Sequence, residues 1–144
     1  MKLRELISAY NRLGNATMTK LDDKDVVKAL KARKAMRPHA EEYEAFEKDC
    51  RDKFKFDGLE EDDKVRLSVF NKIKEDKDYK PTESEIESCN NVASYFNKVN
   101  KALEGELEKD IVINIEKLSE GSDVKLMQEN KWKPYELEEL DMLF

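Results

Sequence analysis

The sequence is poor in glycine, proline, cysteine and histidine, and each shortage limits what the protein can be. Four glycines and three prolines, in a chain with 42% charged residues, are the composition of long solvated amphipathic helices. Two cysteines are too few for a disulfide framework, and both Cys50 and Cys89 fall on apolar helix faces. We expect these residues to be reduced thiols that pack in the core, with no redox role.

The chain also lacks the groups that most enzymes and metal sites need. His39 is the only histidine, and it follows Pro38 in a basic segment, where we expect a solvated side chain. There is no Cys-x-x-Cys pair and no glycine-rich phosphate loop, and the acidic run at 60–63 lacks the alternating ligands of a calcium loop. We therefore predict no catalytic residue, no metal site and no cofactor, and we expect that the protein is not an enzyme.

Long apolar runs are absent as well. No run approaches the roughly 20 residues that cross a bilayer. The first residues carry an acid at Glu5 and have no uninterrupted apolar stretch, unlike a secretion signal. These features predict a soluble cytoplasmic protein without a membrane partner.

What the chain has in abundance is helical periodicity. Its length predicts one domain over residues 1–144. Apolar side chains recur every three or four residues along three stretches, at 3–13, at about 24–53 and at 86–107. Pro38 lies inside the second stretch and predicts a kink, or two helices end to end.

Residues 59 to about 77 predict a weaker helix with four apolar side chains facing inward: Val65, Val69, Phe70 and Ile73. The surrounding stretch, about 59–80, is dense in charge and is interpreted as an insertion. Thr82 and Glu85 then form the spacing of a capping box, in which each residue satisfies a free backbone N–H of the other.

We predict a mainly α fold in which the two long helices form an elongated antiparallel hairpin that buries their matching stripes. A helical region over 1–109 is followed by a β element and a small C-terminal helical cap over 110–144. Residues 110–115 are the one convincing β-strand. Since a lone strand needs a hydrogen-bonding partner, the candidates are residues 124–126, residues 18–21 or a second copy of the chain.

The order of these features resembles an uncharacterised family of small helix-rich phage and prophage proteins. Their pattern is a helical hairpin, a short β segment, and an ending of short helix, turn, proline and Leu-rich helix. The likeness covers roughly residues 20–56 and 84–144. It is carried by the helix faces of 43–54 and 86–107, by residues 111–115, and by Pro134, Leu137, Leu140 and Leu143. The family has no established activity, and the resemblance implies a mobile-element origin and an assembly or interaction role.

Charge is distributed unevenly along the chain. Residues 1–40 hold ten Lys/Arg and four Asp/Glu, whereas residues 41–144 hold seventeen and twenty-nine. A basic contact face is predicted on the second helix, at Lys28, Lys31, Lys34 and Arg37. Such a face could meet an acidic protein, including the acidic half of a second copy, or the phosphates of a nucleic acid.

The leading hypothesis is a non-enzymatic protein–protein interaction or assembly protein of phage or prophage origin, with a protein partner that could be a second copy. The alternative is a nucleic-acid-associated regulator that uses the basic face at 28–37, although no aromatic residues are interleaved there for base stacking. Seven C-terminal apolar residues are predicted either to dock a partner or to close the core: Ile111, Ile113, Ile115, Trp132, Leu137, Leu140 and Leu143.

Overall fold

The computed structural model describes all 144 residues, and they form a mainly α-helical protein. The helices are α1 (Leu3–Gly14), α2 (Asp23–Phe54), α3 (Leu59–Glu75), α4 (Glu83–Leu107), α5 (Ser122–Asn130) and α6 (Pro134–Glu138), followed by a 3₁₀ turn at Asp141–Leu143. The predicted fold class, mainly α, is confirmed. Pro38 lies within α2, which continues as one helix to Phe54.

The helices pack into two compact units. Unit 1 comprises Met1–Ala45 and Glu106–Phe144, and unit 2 comprises Phe46–Gly105. The boundaries between the two units lie inside α2 and near the end of α4.

The core of unit 1 lies between α1 and the first half of α2. The buried side chains of α1 are Leu3, Leu6, Ala9 and Leu13, spaced by three or four residues as on one side of an amphipathic helix. From α2 come Ala29, Ala32 and Met36, and the C-terminal segment adds Leu126, Leu140 and Leu143. The C-terminal helices are therefore part of this core.

Residues 110–115 are extended but form no β-strand, so the predicted β element is wrong. One isolated antiparallel bridge joins Asp110 to Lys2. Around it, the Leu3 N–H donates to the Lys109 carbonyl at 2.9 Å, and the Ile111 N–H donates to the Met1 carbonyl at 2.8 Å. The two partners predicted within the chain are not used, because residues 124–126 belong to α5 and residues 18–21 form an irregular segment with a turn.

The alternating pattern at 110–115 has a different cause. Ile111 is 8% exposed and packs in the core, whereas its neighbour Val112 is 93% exposed. An extended segment laid over a core buries every second side chain whether or not a second strand pairs with it. The alternation reports one-sided burial, and the hydrogen-bonded ladder does not follow from it.

Unit 2 is built on an antiparallel pair formed by α3 and α4. The Asp62 carboxylate accepts hydrogen bonds from Ser88 Oγ at 2.9 Å and Asn91 Nδ2 at 3.2 Å, and Lys72 Nζ lies 3.3 Å from Glu85 Oε2. Four apolar side chains are buried in this unit: Cys50, Val69, Val92 and Val99. Phe70, predicted to face inward, is 63% exposed.

The start of α4 is organised as predicted. The Thr82 N–H donates to Glu85 Oε1 at 3.0 Å, and the Glu85 N–H donates to Thr82 Oγ1 at 3.2 Å, which confirms the capping box. The Tyr79 hydroxyl also donates to Glu85, at 2.6 Å. These donors hold the pKa of Glu85 at about 2; the Thr82 N–H is the largest cause and the Tyr79 hydroxyl the next.

Candidate interaction surface

The first half of α2 has two unlike sides. Its buried side carries Asp25, Ala29, Ala32 and Met36, which recur at helical spacing and face the core of unit 1. Its opposite side carries two large aliphatic residues that are about half exposed, Val27 at 48% and Leu30 at 53%.

Three lysines surround these two aliphatic side chains. We call the exposed side of α2 the basic–apolar face and define it by Lys24, Val27, Leu30, Lys31 and Lys34. All three lysines are exposed, and none forms an ion pair within the chain. Beside Val27 lies a shallow groove of about 340 Å³ with lysines along it and with Asp23 and Glu116 among its other lining residues.

The predicted basic set is only partly brought together. Lys31 and Lys34 lie on the basic–apolar face. Lys28 lies at its edge, half-buried, and its Nζ donates to the Lys117 carbonyl at 3.3 Å. Arg37 is exposed and lies at the other edge of the face, one helical turn from Lys34; nine residues, or about two and a half turns, separate it from Lys28 and place the two cations on opposite sides of α2.

Arg33, another cation of the same segment, makes its contacts within unit 1. Its Nε donates to the Tyr10 carbonyl at 3.3 Å, and its guanidinium lies 4.1 Å from the centroid of the Tyr10 ring. Gly14 makes room for this arrangement, since a Cβ at that position would lie 2.7 Å from Arg33 Nη2. Arg33 is thus a packing residue of α1 and is not part of the exposed face.

The predicted C-terminal docking set lies in or against the core. Ile111, Leu140 and Leu143 are buried in the core of unit 1. Ile113, Ile115 and Trp132 are partly buried and pack against that core, and Leu137 is half-buried. Three of the seven side chains are buried, and none of the others is among the exposed large hydrophobic residues of the chain.

An arginine of α1 holds the C-terminal helix in place. Arg12 Nη1 donates to Glu136 Oε2 and its Nε donates to Glu139 Oε2, both at 2.9 Å, while its guanidinium lies 5.6 Å from the Trp132 ring centroid. The hydrogen bond with Glu139 is the largest cause of the raised pKa of Arg12, and Glu136 adds to it. Sequence reasoning missed this network because Arg12 is 120 or more residues from each of its partners.

Asp25 is a second feature that the sequence did not reveal. It is 2% exposed, and its carboxylate accepts hydrogen bonds from the Ser119 N–H at 2.9 Å and from the hydroxyls of Ser119 and Ser122, each at 3.1 Å. These donors, the Ser119 N–H first, lower the pKa of Asp25 against the opposing effect of burial, and nearby Lys28 adds to them. The carboxylate joins α2 to the start of α5.

An open groove of about 430 Å³ lies where α1 meets the C-terminal segment. Its lining residues are Met1, Arg4, Glu5, Ser8, Tyr135, Glu138, Glu139, Asp141 and Met142. Arg4 is paired with Glu108 at 2.9 Å, and Glu139 is paired with Arg12. Glu138 and Asp141 are exposed and have no cation partner, so we call this depression the acidic groove.

Three further features give no indication of function: metal ligands, membrane spans and similarity to known proteins. No group of three or more His, Cys, Asp or Glu side chains is arranged to hold a metal ion. No helix combines the length and hydropathy that crossing a bilayer would take. No protein-family model, curated protein or solved structure matches this chain. Function has therefore to be inferred from the surfaces of the chain itself.

Proposed function

We propose that this protein is a non-enzymatic interaction protein that binds an acidic partner surface through the basic–apolar face of α2. The observation that carries the proposal is the placing of Val27 and Leu30, both about half exposed, among three lysines that have no carboxylate partner. Protein interfaces combine an apolar centre with a charged rim in this way.

The two parts of the face would do different work. Burial of Val27 and Leu30 against a partner removes apolar surface from water and so contributes affinity. The lysines attract an acidic surface and set the orientation in which it docks, and this contribution weakens as salt rises. The expected partner therefore carries a small apolar patch bordered by carboxylates.

Origin and location belong to the same proposal. The resemblance to small phage and prophage proteins supports an assembly role in a mobile element. Cys50 and Cys89 are both free thiols, which supports a reducing compartment such as the cytoplasm.

The test is affinity capture with the full chain as bait, from a lysate of the source cells, with and without nuclease. The variant Lys24→Glu/Lys31→Glu/Lys34→Glu reverses the charge of the basic–apolar face. The matched control, Lys98→Glu/Lys101→Glu/Lys125→Glu, makes the same change in net charge at exposed lysines elsewhere. We expect a nuclease-resistant, stoichiometric companion that wild type and control retain and the face variant loses. A companion that the face variant also retains would place the interaction on another surface.

The alternative, nucleic-acid association, predicts a different result in the same experiment. A row of lysines without carboxylate partners can contact phosphates, which would give steeply salt-dependent binding. In that case nucleic acid is recovered with the bait, companions disappear on nuclease treatment, and the face variant recovers neither. The exposed aliphatic side chains between the lysines disfavour this outcome, since they have no role against a phosphate backbone.

A further inference from the structure

We propose that the acidic groove of one copy of this chain receives the basic–apolar face of another, so that copies associate head to tail. This inference rests on the proposed function, because it names the partner of the face already described. Four observations support it: the spacing of the charges, the apolar character of both surfaces, the absence of counter-charges within one copy, and the position of both surfaces on unit 1.

The charges on the two surfaces have matching spacing. Lys31 and Lys34 are three residues apart on α2, which puts their Cβ atoms about 5–6 Å apart on one helix face. Glu138 and Asp141 are also three residues apart, across the turn between α6 and the 3₁₀ turn. The backbone of that turn has φ, ψ of −61°, −17° at Glu139 and −108°, 16° at Leu140. These angles are those of a type I turn, whose ends lie within about 7 Å.

Apolar surface accompanies the charges on both sides. On α2, Val27 and Leu30 stand beside Lys31 and Lys34. In the acidic groove, Tyr135 is 61% exposed, and Met142 and Met1 are among the other lining residues. A tyrosine ring and flexible methionine side chains can adapt to an aliphatic helix face, and the ring also attracts an ammonium group placed over it.

Each surface lacks what the other supplies. The two cationic groups of the residues that line the acidic groove are already engaged: Arg4 is paired with Glu108, and the Met1 ammonium donates to the Ile111 carbonyl at 3.1 Å. No residue of α2 is among those that line the groove, so a copy does not fill its own groove with its own face. The neutralising lysines would therefore come from a second molecule.

A head-to-tail contact is heterologous, because the face of one copy meets the groove of the next. Copies joined in this way form an open chain, in which only the two end copies keep a free surface, or a ring if the rotation closes. Because the contact joins two different surfaces, it can be tested by complementation.

The experiment uses the purified full chain in sedimentation velocity over a range of concentrations. The face variant here is Lys31→Glu/Lys34→Glu, and the groove variant is Glu138→Lys/Asp141→Lys. Matched controls are Lys98→Glu/Lys101→Glu and Glu41→Lys/Glu42→Lys, all at exposed positions. Far-UV circular dichroism and thermal melts verify that every variant is folded. We expect wild type and controls to associate, and the dissociation constant to rise about tenfold or more in each test variant, because like charges then face each other.

Mixing the face variant with the groove variant in equal amounts should restore association. The face variant still has a native groove, the groove variant still has a native face, and those two surfaces can join. The variant that carries all four reversals should also associate with itself. Variants that remain apart on mixing, or association that survives either reversal, would overturn the head-to-tail contact.

The two proposals can fail separately. If the wild type is monomeric at every concentration but the captured companion depends on Lys24, Lys31 and Lys34, the second copy is excluded and the interaction face stands. If reversal of the face changes neither self-association nor capture, both proposals are wrong.

Discussion

At the scale of single residues, the strongest internal constraint in unit 1 is a buried charge. Asp25 lies within the first turn of α2, and three donors from one short loop converge on its carboxylate. Hydrogen bonds to an ionised acceptor are stronger than those between neutral groups. The loop before α5 therefore takes its position from one side chain of α2.

Replacement of Asp25 by alanine should destabilise the protein strongly. We expect a loss of roughly 2–4 kcal/mol, because charge-assisted bonds are removed and the buried Ser122 hydroxyl is left without its acceptor. Urea unfolding followed by circular dichroism measures the change. Asp23→Ala is the control, since Asp23 is exposed in the same turn and its loss should cost less than about 0.5 kcal/mol. Equal losses for the two variants would mean that the Asp25 network contributes nothing.

Glu85 makes the stability of unit 2 depend on pH in the acidic range. Its pKa in the folded protein is about 2 against an ordinary value of 4.5, so the folded state keeps the charge to lower pH than the unfolded chain does. The stability that this difference supplies is complete above about pH 4.5 and is lost as the pH falls towards 2.

The variant Glu85→Gln should therefore be less stable at neutral pH and should lose less stability on acidification. Thermal melts between pH 7 and pH 2 compare it with wild type and with Glu87→Gln, an exposed residue of the same helix. If Glu85→Gln and wild type lose stability in parallel across that range, Glu85 is not the group responsible.

At the scale of elements, helices were predictable and the strand was not. The apolar period of α1, α2 and α4 can be satisfied by a single helix packing on any core, so local sequence was sufficient. The alternation at 110–115 correctly reports that Ile111 turns inward and Val112 outward. A strand requires in addition a partner at the right distance, and periodicity contains no information about one. The prediction that Phe70 faces inward is wrong for a different reason: its side chain lies at the margin of the apolar stripe on α3.

Amide hydrogen exchange distinguishes an isolated bridge from a strand. The N–H groups of Leu3 and Ile111 are hydrogen-bonded across the bridge, whereas those of residues 112–117 have no backbone acceptor. We expect protection at Leu3 and Ile111 and rapid exchange at Val112 and Asn114. Protection at alternate residues through 115 would instead indicate a paired strand.

At the scale of the whole molecule, the two units differ in the size of their cores. Thirteen buried apolar side chains form the core cluster of unit 1, and four are buried in unit 2. Burial of apolar surface is the main source of stability, so unit 2 is expected to be the less stable of the two units. The ion pairs of Arg12 and the hydrogen bonds to the Asp25 carboxylate both belong to unit 1. Each set joins parts of the chain that are far apart in sequence, so no local sequence pattern could have predicted it.

Unit 2 should therefore open before the molecule unfolds as a whole. Native-state hydrogen exchange at low urea should give α3 amides a lower opening free energy than α1 amides, with a smaller dependence on denaturant. Identical free energies and denaturant slopes for α1 and α3 would show that the chain unfolds in one step.

The candidate interaction surface could be predicted only in part from the sequence. The cluster of cations on α2 is visible in the sequence, and Lys31 and Lys34 do lie together. The removal of Arg33 from that surface depends on its contact with Tyr10, which no local pattern predicts. The separation of Arg37 from Lys28, in contrast, follows from their nine-residue spacing on one helix. The acidic groove joins residues from the two ends of the chain, so only the folded structure brings its walls together.

Gly14, Tyr10 and Arg33 also restrict how this chain can diverge. A Cβ at position 14 would lie 2.7 Å from Arg33 Nη2, so the flexible end of that side chain would have to shift relative to the Tyr10 ring, whereas a shorter residue at position 33 would leave room for a side chain at 14. A descendant sequence that changes one of these positions thus comes under selection at the other. Positions 14 and 33 should consequently covary among relatives of this chain.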